Sequence, residues 1–174
     1  MVKGKKTLFV IASKSGATLE TVMIYEHLKK IVDFDSQNYS NDNLFIAITD
    51  PDTSLDKRAC KENFYQTFLG LIDVGGRYAA LSYFGLLPSA LMGCDTDSLV
   101  KASQNMKNRL QPSEPSKHNL AAIIASILGA CVVNNIDKLT FITSQRLDAF
   151  GSWLEQLIAE SIGKENIGLT PVVK

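Results

Sequence analysis

The chain has 174 residues, 45% of them hydrophobic, with 18 basic and 18 acidic side chains and a formal net charge of zero. That length suits one domain, or one and part of another, with enough apolar residue for a sizeable core. The charge balance speaks against nucleic acid or an anionic membrane surface as partner, and no apolar run approaches spanning length. The opening MVKGKK is not followed by a signal-peptide pattern. Cys60, Cys94 and Cys131 are odd in number, widely spaced and outside any CxxC pair, which speaks against structural zinc or a disulfide framework and fits a reducing cytoplasm.

Thr7 to Ala12 is an apolar run of the kind that forms a buried strand in a parallel sheet. Small polar residues follow (Ser13, Lys14, Ser15, Gly16, Ala17, Thr18). A helix is then predicted to about Val32, with Leu19, Val22, Met23 and Leu28 on one face, Thr18 as N-cap and Glu20 in the first turn. Asp33 to Asn43 reads as a loop and Leu44 to Thr49 as a second buried strand, broken by Asp50-Pro51-Asp52. A short helix is expected over Ser54 to Lys61, and strand, helix, strand predicts a right-handed parallel βαβ unit. Composition changes near Phe68. Leu71 to Arg77 reads as an irregular loop, Leu81 to Leu91 as a helix kinked or broken at Pro88, and Ser98 to Leu110 as another helix. Gln111 to Lys117 is a proline- and serine-rich loop, and Asn119 can cap an apolar helix, Leu120 to Val133, expected in the core. Leu139 to Thr143 is a strand. Ser144 can cap a long helix from about Arg146 to Ile162 that Gly163 ends as a C′ residue, and Val172 and Val173 start a final strand.

Three clusters carry chemistry. Ser13, Lys14, Ser15 and Thr18 lie between a strand and a helix start, where unpaired N–H groups and the dipole favour an anion. That field is worth only ~0.3–1 kcal/mol per charge, so hydroxyls and Lys14 must add to it. The order of residues is neither a Walker A loop nor GxGxxG, which disfavours nucleotides; ordinary helix capping is the alternative. Gly75-Gly76-Arg77 offers backbone freedom beside an arginine that can stabilise developing negative charge, or a tight turn and a solvated arginine. Gln156 and Glu160 share a helix face with Leu154, Leu157 and Ile158 beside them. Half-buried there, Glu160 would suit a general base; a solvated acid near a helix end is the alternative. His27 and His118 have no third ligand at a sensible spacing and read as structural or surface residues.

Four segments, FVIASKSGATLET, DVGGRYAALSYFGLLPSALMG, DKLTFITS and WLEQLIAESIGK, stand in the order and at the spacing of the glucose-6-phosphate isomerase family, which the chain resembles from Thr7 onward. The second and fourth look most like the form fused to transaldolase in some bacteria. The resemblance implies a three-layer α/β/α parallel-sheet sugar-isomerase fold, with residues 1–67 as the later part of a first sugar-isomerase domain and 68–174 as the start of a second. It implies aldose–ketose isomerisation of glucose 6-phosphate and fructose 6-phosphate through an enediolate, without metal or redox cofactor. Ser13, Lys14, Ser15 and Thr18 match the family's phosphate loop, Arg77 the arginine that stabilises the enediolate, Gln156 a glutamine near the substrate, and Glu160 the base that moves a proton between C1 and C2.

The chain departs from the family at Ala79, where the family has serine after GGRY. It also lacks the family's upstream glycine-rich loop and ends before the ring-opening histidine and the C-terminal lysine; His118 precedes Glu160 and cannot be that histidine by chain order. The expectation is therefore a fragment with little isomerase activity alone. Its expected partners are a sugar-phosphate substrate and either a second copy or a complementary isomerase segment, with no nucleic acid and no membrane. A non-catalytic sugar-phosphate-binding module and an assembly fragment are the alternatives.

Overall fold

The computed structural model describes residues 7–35, 44–113, 115, 117–165 and 167–173. Two compact units divide the chain, Met1–Thr96 and Asp97–Lys174. In the first, β1 (Phe9–Ala12), β2 (Phe45–Thr49) and β3 (Gln66–Leu69) form a parallel sheet in the order β1-β2-β3. Phe9 pairs with Phe45, and Ile46 with Gln66. The central strand β2 is buried along its whole length, which is why FIAIT carries no solvent-facing alternation. Helix α1 (Leu19–Asp35) follows β1, and α2 (Ser54–Lys61) follows β2. Thr53 caps α2 by accepting from the Asp56 N–H, and Leu55 and Ala59 are its buried residues.

The core of this unit gathers Ile11 from β1, Phe45 and Ala47 from β2, Tyr25 from α1, and Leu55 and Ala59 from α2, with Phe9, Leu28, Val32 and Phe64 packed around them. Alternate strand residues, Phe9 with Ile11 and Phe45 with Ala47, supply the sheet's share, as a period of two requires. The rings of Tyr25 and Phe45 meet edge to face at 5.1 Å, and Phe64 closes on both at 5.4 and 5.5 Å; each such pair adds ~0.5–1.5 kcal/mol beyond area burial. The Tyr25 hydroxyl donates to Glu62 at the end of α2, which also takes Lys29 at 2.7 Å.

Several expectations need correction. β3 falls where composition changes but no strand was expected; QTFL offers too little apolar alternation to announce an edge strand. The segment after it is not irregular throughout, since Gly76–Leu81 is a 3₁₀ helix. Pro88 does not break α3 (Tyr83–Leu91), and Met92 N–H still reaches the Pro88 carbonyl at 3.0 Å. Of the expected loop Asp33–Asn43, residues 33–35 are the last turn of α1 and 36–43 lie outside the described residues, as do MVKGKK, positions 114 and 116 of the proline-rich loop, and the chain's last residue.

The second unit holds α4 (Thr96–Arg109), α5 (Leu120–Val133), β4 (Lys138–Phe141), α6 (Asp148–Ile162) and β5 (Thr170–Val173). β4 and β5 pair in parallel, with Lys138 opposite Thr170, and α6 packs so closely on β5 that a Cβ at Gly151 would lie 2.6 Å from Val173 Cγ1. Asn119 caps α5 through the N–H groups of Ala121 and Ala122. Yet α5 is not a core element of this unit: none of its residues is buried, and Ile124 and Ile127 are each 57% exposed. A two-stranded sheet presents little face, and α6 is the helix packed on it. Ser144 precedes a 3₁₀ turn, Gln145–Leu147, without a side-chain cap bond, and Gly163 ends α6 with φ −81, so the left-handed C′ geometry is absent.

Candidate active site

The carboxyl ends of parallel strands are where open α/β sheets place ligands, because the loops and helix N-termini converge there. In the first unit this edge brings together Ser13 after β1, Asp50 after β2 and Gly70-Leu71 after β3. Ser13 is 6% exposed; its N–H bonds to the Ile48 carbonyl at 3.0 Å and its hydroxyl meets Thr18 Oγ1 at 2.9 Å. Ser15 Oγ lies 3.5 Å from the same Thr18 oxygen and accepts from the Ala17 N–H at 3.3 Å. Three hydroxyls therefore cluster where α1 opens, with Ser15 and Thr18 exposed to solvent.

Gly16 makes this loop possible. Its φ of +67 lies in the left-handed region, and a Cβ there would sit 2.6 Å from Thr53 Cβ and 2.9 Å from the Leu55 nitrogen. Ser54 Oγ donates to the Gly16 carbonyl at 2.6 Å, and Thr53 Oγ1 meets Thr49 Oγ1 at 2.7 Å. The loop after β1 is thus clamped to the start of α2. Lys14 lies across the sheet edge: its ammonium is ion-paired with Asp50 and donates to the Leu71 carbonyl at 2.8 Å.

Arg77 lies in the first turn of the 3₁₀ helix and is half-buried. Neither glycine before it has positive φ; Gly75 sits at φ −60 and ψ 151. A Cβ at Gly76 would meet nothing within 4 Å. Packing does not demand a glycine at 76, so the backbone there is left open to approach from outside.

In the second unit, Gln156 and Glu160 lie one turn apart on α6, with Gln156 Nε2 donating to Glu160 Oε2 at 3.4 Å. Glu160 is exposed within the described chain rather than half-buried: Leu157 and Ile158 are partly buried while the face bearing Gln156 and Glu160 turns outward. His27 and His118 are both exposed. Among the described residues no group of three His, Cys, Asp or Glu side chains could hold a metal ion, and no helix is long and apolar enough to cross a membrane. Reading the sequence missed Asp50, Thr53 and Gly70 as parts of this edge. The signal for Asp50 was its place directly after the central strand, where it was read only as a strand breaker.

A sequence model of the family described as phosphoglucose isomerase matches residues 1–169. A glucose-6-phosphate isomerase from Parabacteroides distasonis is 30% identical over 173 residues, covering 98% of this chain and 38% of that protein. One from Prochlorococcus marinus (strain NATL2A) is 36% identical over 162 residues, covering 91% and 30%. Among solved structures, a hypothetical protein from Thermus thermophilus superposes with a TM-score of 0.83 at 30% identity, over 97% of this chain and 41% of that one. A glucose-6-phosphate isomerase from Chlamydia trachomatis gives 0.75 at 22% identity, over 96% and 34%, a likeness of fold. The chain spans between 30% and 41% of the length of these relatives. The family model spans both compact units, from residue 1 to residue 169, and on that ground the chain belongs to the phosphoglucose isomerase family.

Proposed function

We propose that this chain supplies the phosphate loop, the enediolate-stabilising arginine and the base helix of an aldose–ketose isomerase acting on glucose 6-phosphate and fructose 6-phosphate. The observation that carries this reading is the hydroxyl cluster of Ser13, Ser15 and Thr18 at the opening of α1, with Lys14 in the same loop and its ammonium on the same sheet edge, held by Asp50 and the Leu71 carbonyl, in a chain of this family. Hydroxyls, helix N–H groups and a cation are the donors a phosphate ester needs. With the phosphate so held, Glu160 takes the proton from C2 of the open-chain aldose. The electrons move into an enediolate whose developing charge Arg77 stabilises; the O2 hydroxyl proton passes to O1, and the same carboxyl returns its proton to C1, leaving C2 as the carbonyl. Gln156 orients Glu160 or the sugar beside it. Carbon is oxidised at C2 and reduced at C1 within one molecule, so the balance requires no external redox partner.

In this reading the division at 67/68 belongs to the two sugar-isomerase domains of the whole enzyme, and a second copy or a complementary isomerase segment completes the site. The free state of Cys60, Cys94 and Cys131 accords with a reducing cytoplasm. Calorimetric titration with 6-phosphogluconate beside a coupled isomerase assay tests the reading. Binding is expected, and turnover is expected once the complementary segment is present. Binding with no turnover in the completed assembly would leave a sugar-phosphate-binding module instead. The exposure of α5 favours a second reading, an assembly fragment whose apolar helix needs a covering chain. A compact monomer on size-exclusion chromatography argues against that.

A further inference from the structure

Lys14 and Leu71 are 57 residues apart in sequence, yet the ammonium of one donates to the carbonyl of the other at 2.8 Å, while Asp50 at the end of the strand between them holds the same ammonium. The Lys14 and Asp50 side chains are 20% and 16% exposed, so the pair is screened far less than a surface ion pair. The second carboxylate oxygen, Asp50 Oδ1, is buried without a hydrogen-bond partner among the described residues. It is sealed beneath Gly70, where a Cβ would lie 2.5 Å from Oδ1 and 2.8 Å from the Phe84 ring. Lys14 is thus the group to which this carboxylate is bonded. The linkage continues toward Arg77: the Leu71 carbonyl also accepts from the Val74 N–H at 3.1 Å, and the Gly75 carbonyl takes the Tyr78 N–H at 2.9 Å.

We propose that Asp50 is a positioning residue: by holding the Lys14 ammonium against the Leu71 carbonyl, it ties the loop that receives the phosphate to the segment 71–77 that presents Arg77. The inference rests on the sugar-phosphate reading for its purpose, though not for its geometry. Aligning a phosphate handle with a charge-stabilising group is where catalytic precision is gained, and a brace between the two loops fixes that alignment before substrate arrives. Asp50 also offsets the charge of Lys14, so affinity for the phosphate alone is given up in exchange for alignment.

Hydrogen exchange and anion titration of the full chain test this together. In Asp50→Ala, amides 71–78 are expected to exchange about tenfold faster, while Ile11 and Ala47 in the β1–β2 ladder keep their protection. Inorganic phosphate, which senses only the loop, is expected to bind about two- to threefold more tightly once the acidic group is gone. The advantage of 6-phosphogluconate over inorganic phosphate should fall about tenfold, because that ligand also senses the Arg77 segment. Asp50→Asn, which keeps one acceptor for Lys14, should fall between. Unchanged exchange at 71–78 overturns the proposal, as does parallel weakening of both anions with faster exchange in the ladder, which marks a general structural lesion. If the unaltered chain binds neither anion, the sugar-phosphate reading fails and the exchange measurement alone decides the brace.

Discussion

In the first unit, Ser13, Lys14 and Thr18 are each engaged by neighbours: another hydroxyl of the loop, the carboxylate after β2, the carbonyl after β3. In the second, Gln156 and Glu160 lie exposed on α6 and meet each other at 3.4 Å. The family match spans residues 1–169 and takes in both regions. The hydroxyl loop is assembled by the sheet that carries it, because the end of β1, the start of α1 and the turn at Gly16 bring the hydroxyls of Ser13, Ser15 and Thr18 together. A general base takes its character from whatever encloses it, and one helix face supplies only half of an enclosure. The hydroxyl loop is therefore built within the first unit, whereas the Gln156–Glu160 face of α6 is exposed among the described residues.

Substitutions separate the roles proposed for these regions. The largest effect is expected for Glu160→Gln in a completed isomerase, with turnover down on the order of 10²–10⁴-fold and 6-phosphogluconate affinity kept. Normal turnover would remove Glu160 from the base role. Arg77→Ala should lower kcat on the order of 10²–10³-fold, read in the same coupled assay. Gly16→Ala acts on the hydroxyl loop. Positive φ and the contacts with Thr53 and Leu55 should cost about 1–3 kcal/mol of stability and weaken inorganic phosphate binding, seen by chemical denaturation and calorimetry.

The smallest effect is the pH dependence of the first unit's core. Burial pushes the Glu62 carboxyl up, but hydrogen bonds from Lys29 and Tyr25 and the charges of Lys29 and Arg58 outweigh it and hold Glu62 below the usual carboxylate range. Stabilisation of this sign is present above the unfolded value of about 4.3 and is lost as pH falls through the lower folded value. Glu62→Gln should therefore cost about 1 kcal/mol at neutral pH, with the difference closing in acid. Burial, followed by the hydrogen bond to Glu62, pushes the Tyr25 phenol above its ordinary value of 10.0. Its contribution is complete below that value and is lost as pH rises through the folded one. Thermal unfolding of the pair of proteins across pH checks both limbs.

What could be read in advance was whatever the backbone repeats locally. The apolar runs at Phe9–Ala12 and Phe45–Thr49, the Asn119 cap and the span of α2 follow from periods of 2 and 3.6 and from capping chemistry. The SKSGAT loop was legible as a strand–loop–helix junction because strand, small residues and helix start succeed one another directly. Strand β3 was not, since an edge strand needs little apolar alternation and its partner, β2, lies elsewhere in the chain. Nor was the exposure of α5 and Glu160: amphipathic pattern says which residues want burial, and only packing says whether something covers them.

By itself, then, the sequence determined the parallel α/β character, the strand–loop–helix junction at SKSGAT and the family. Tertiary structure alone decided that Lys14 would reach Asp50 across 36 residues and Leu71 across 57. Such contacts depend on strand order and register, which no local run of residues encodes. The same register turns a strand-breaking aspartate into the group that joins two loops of the site.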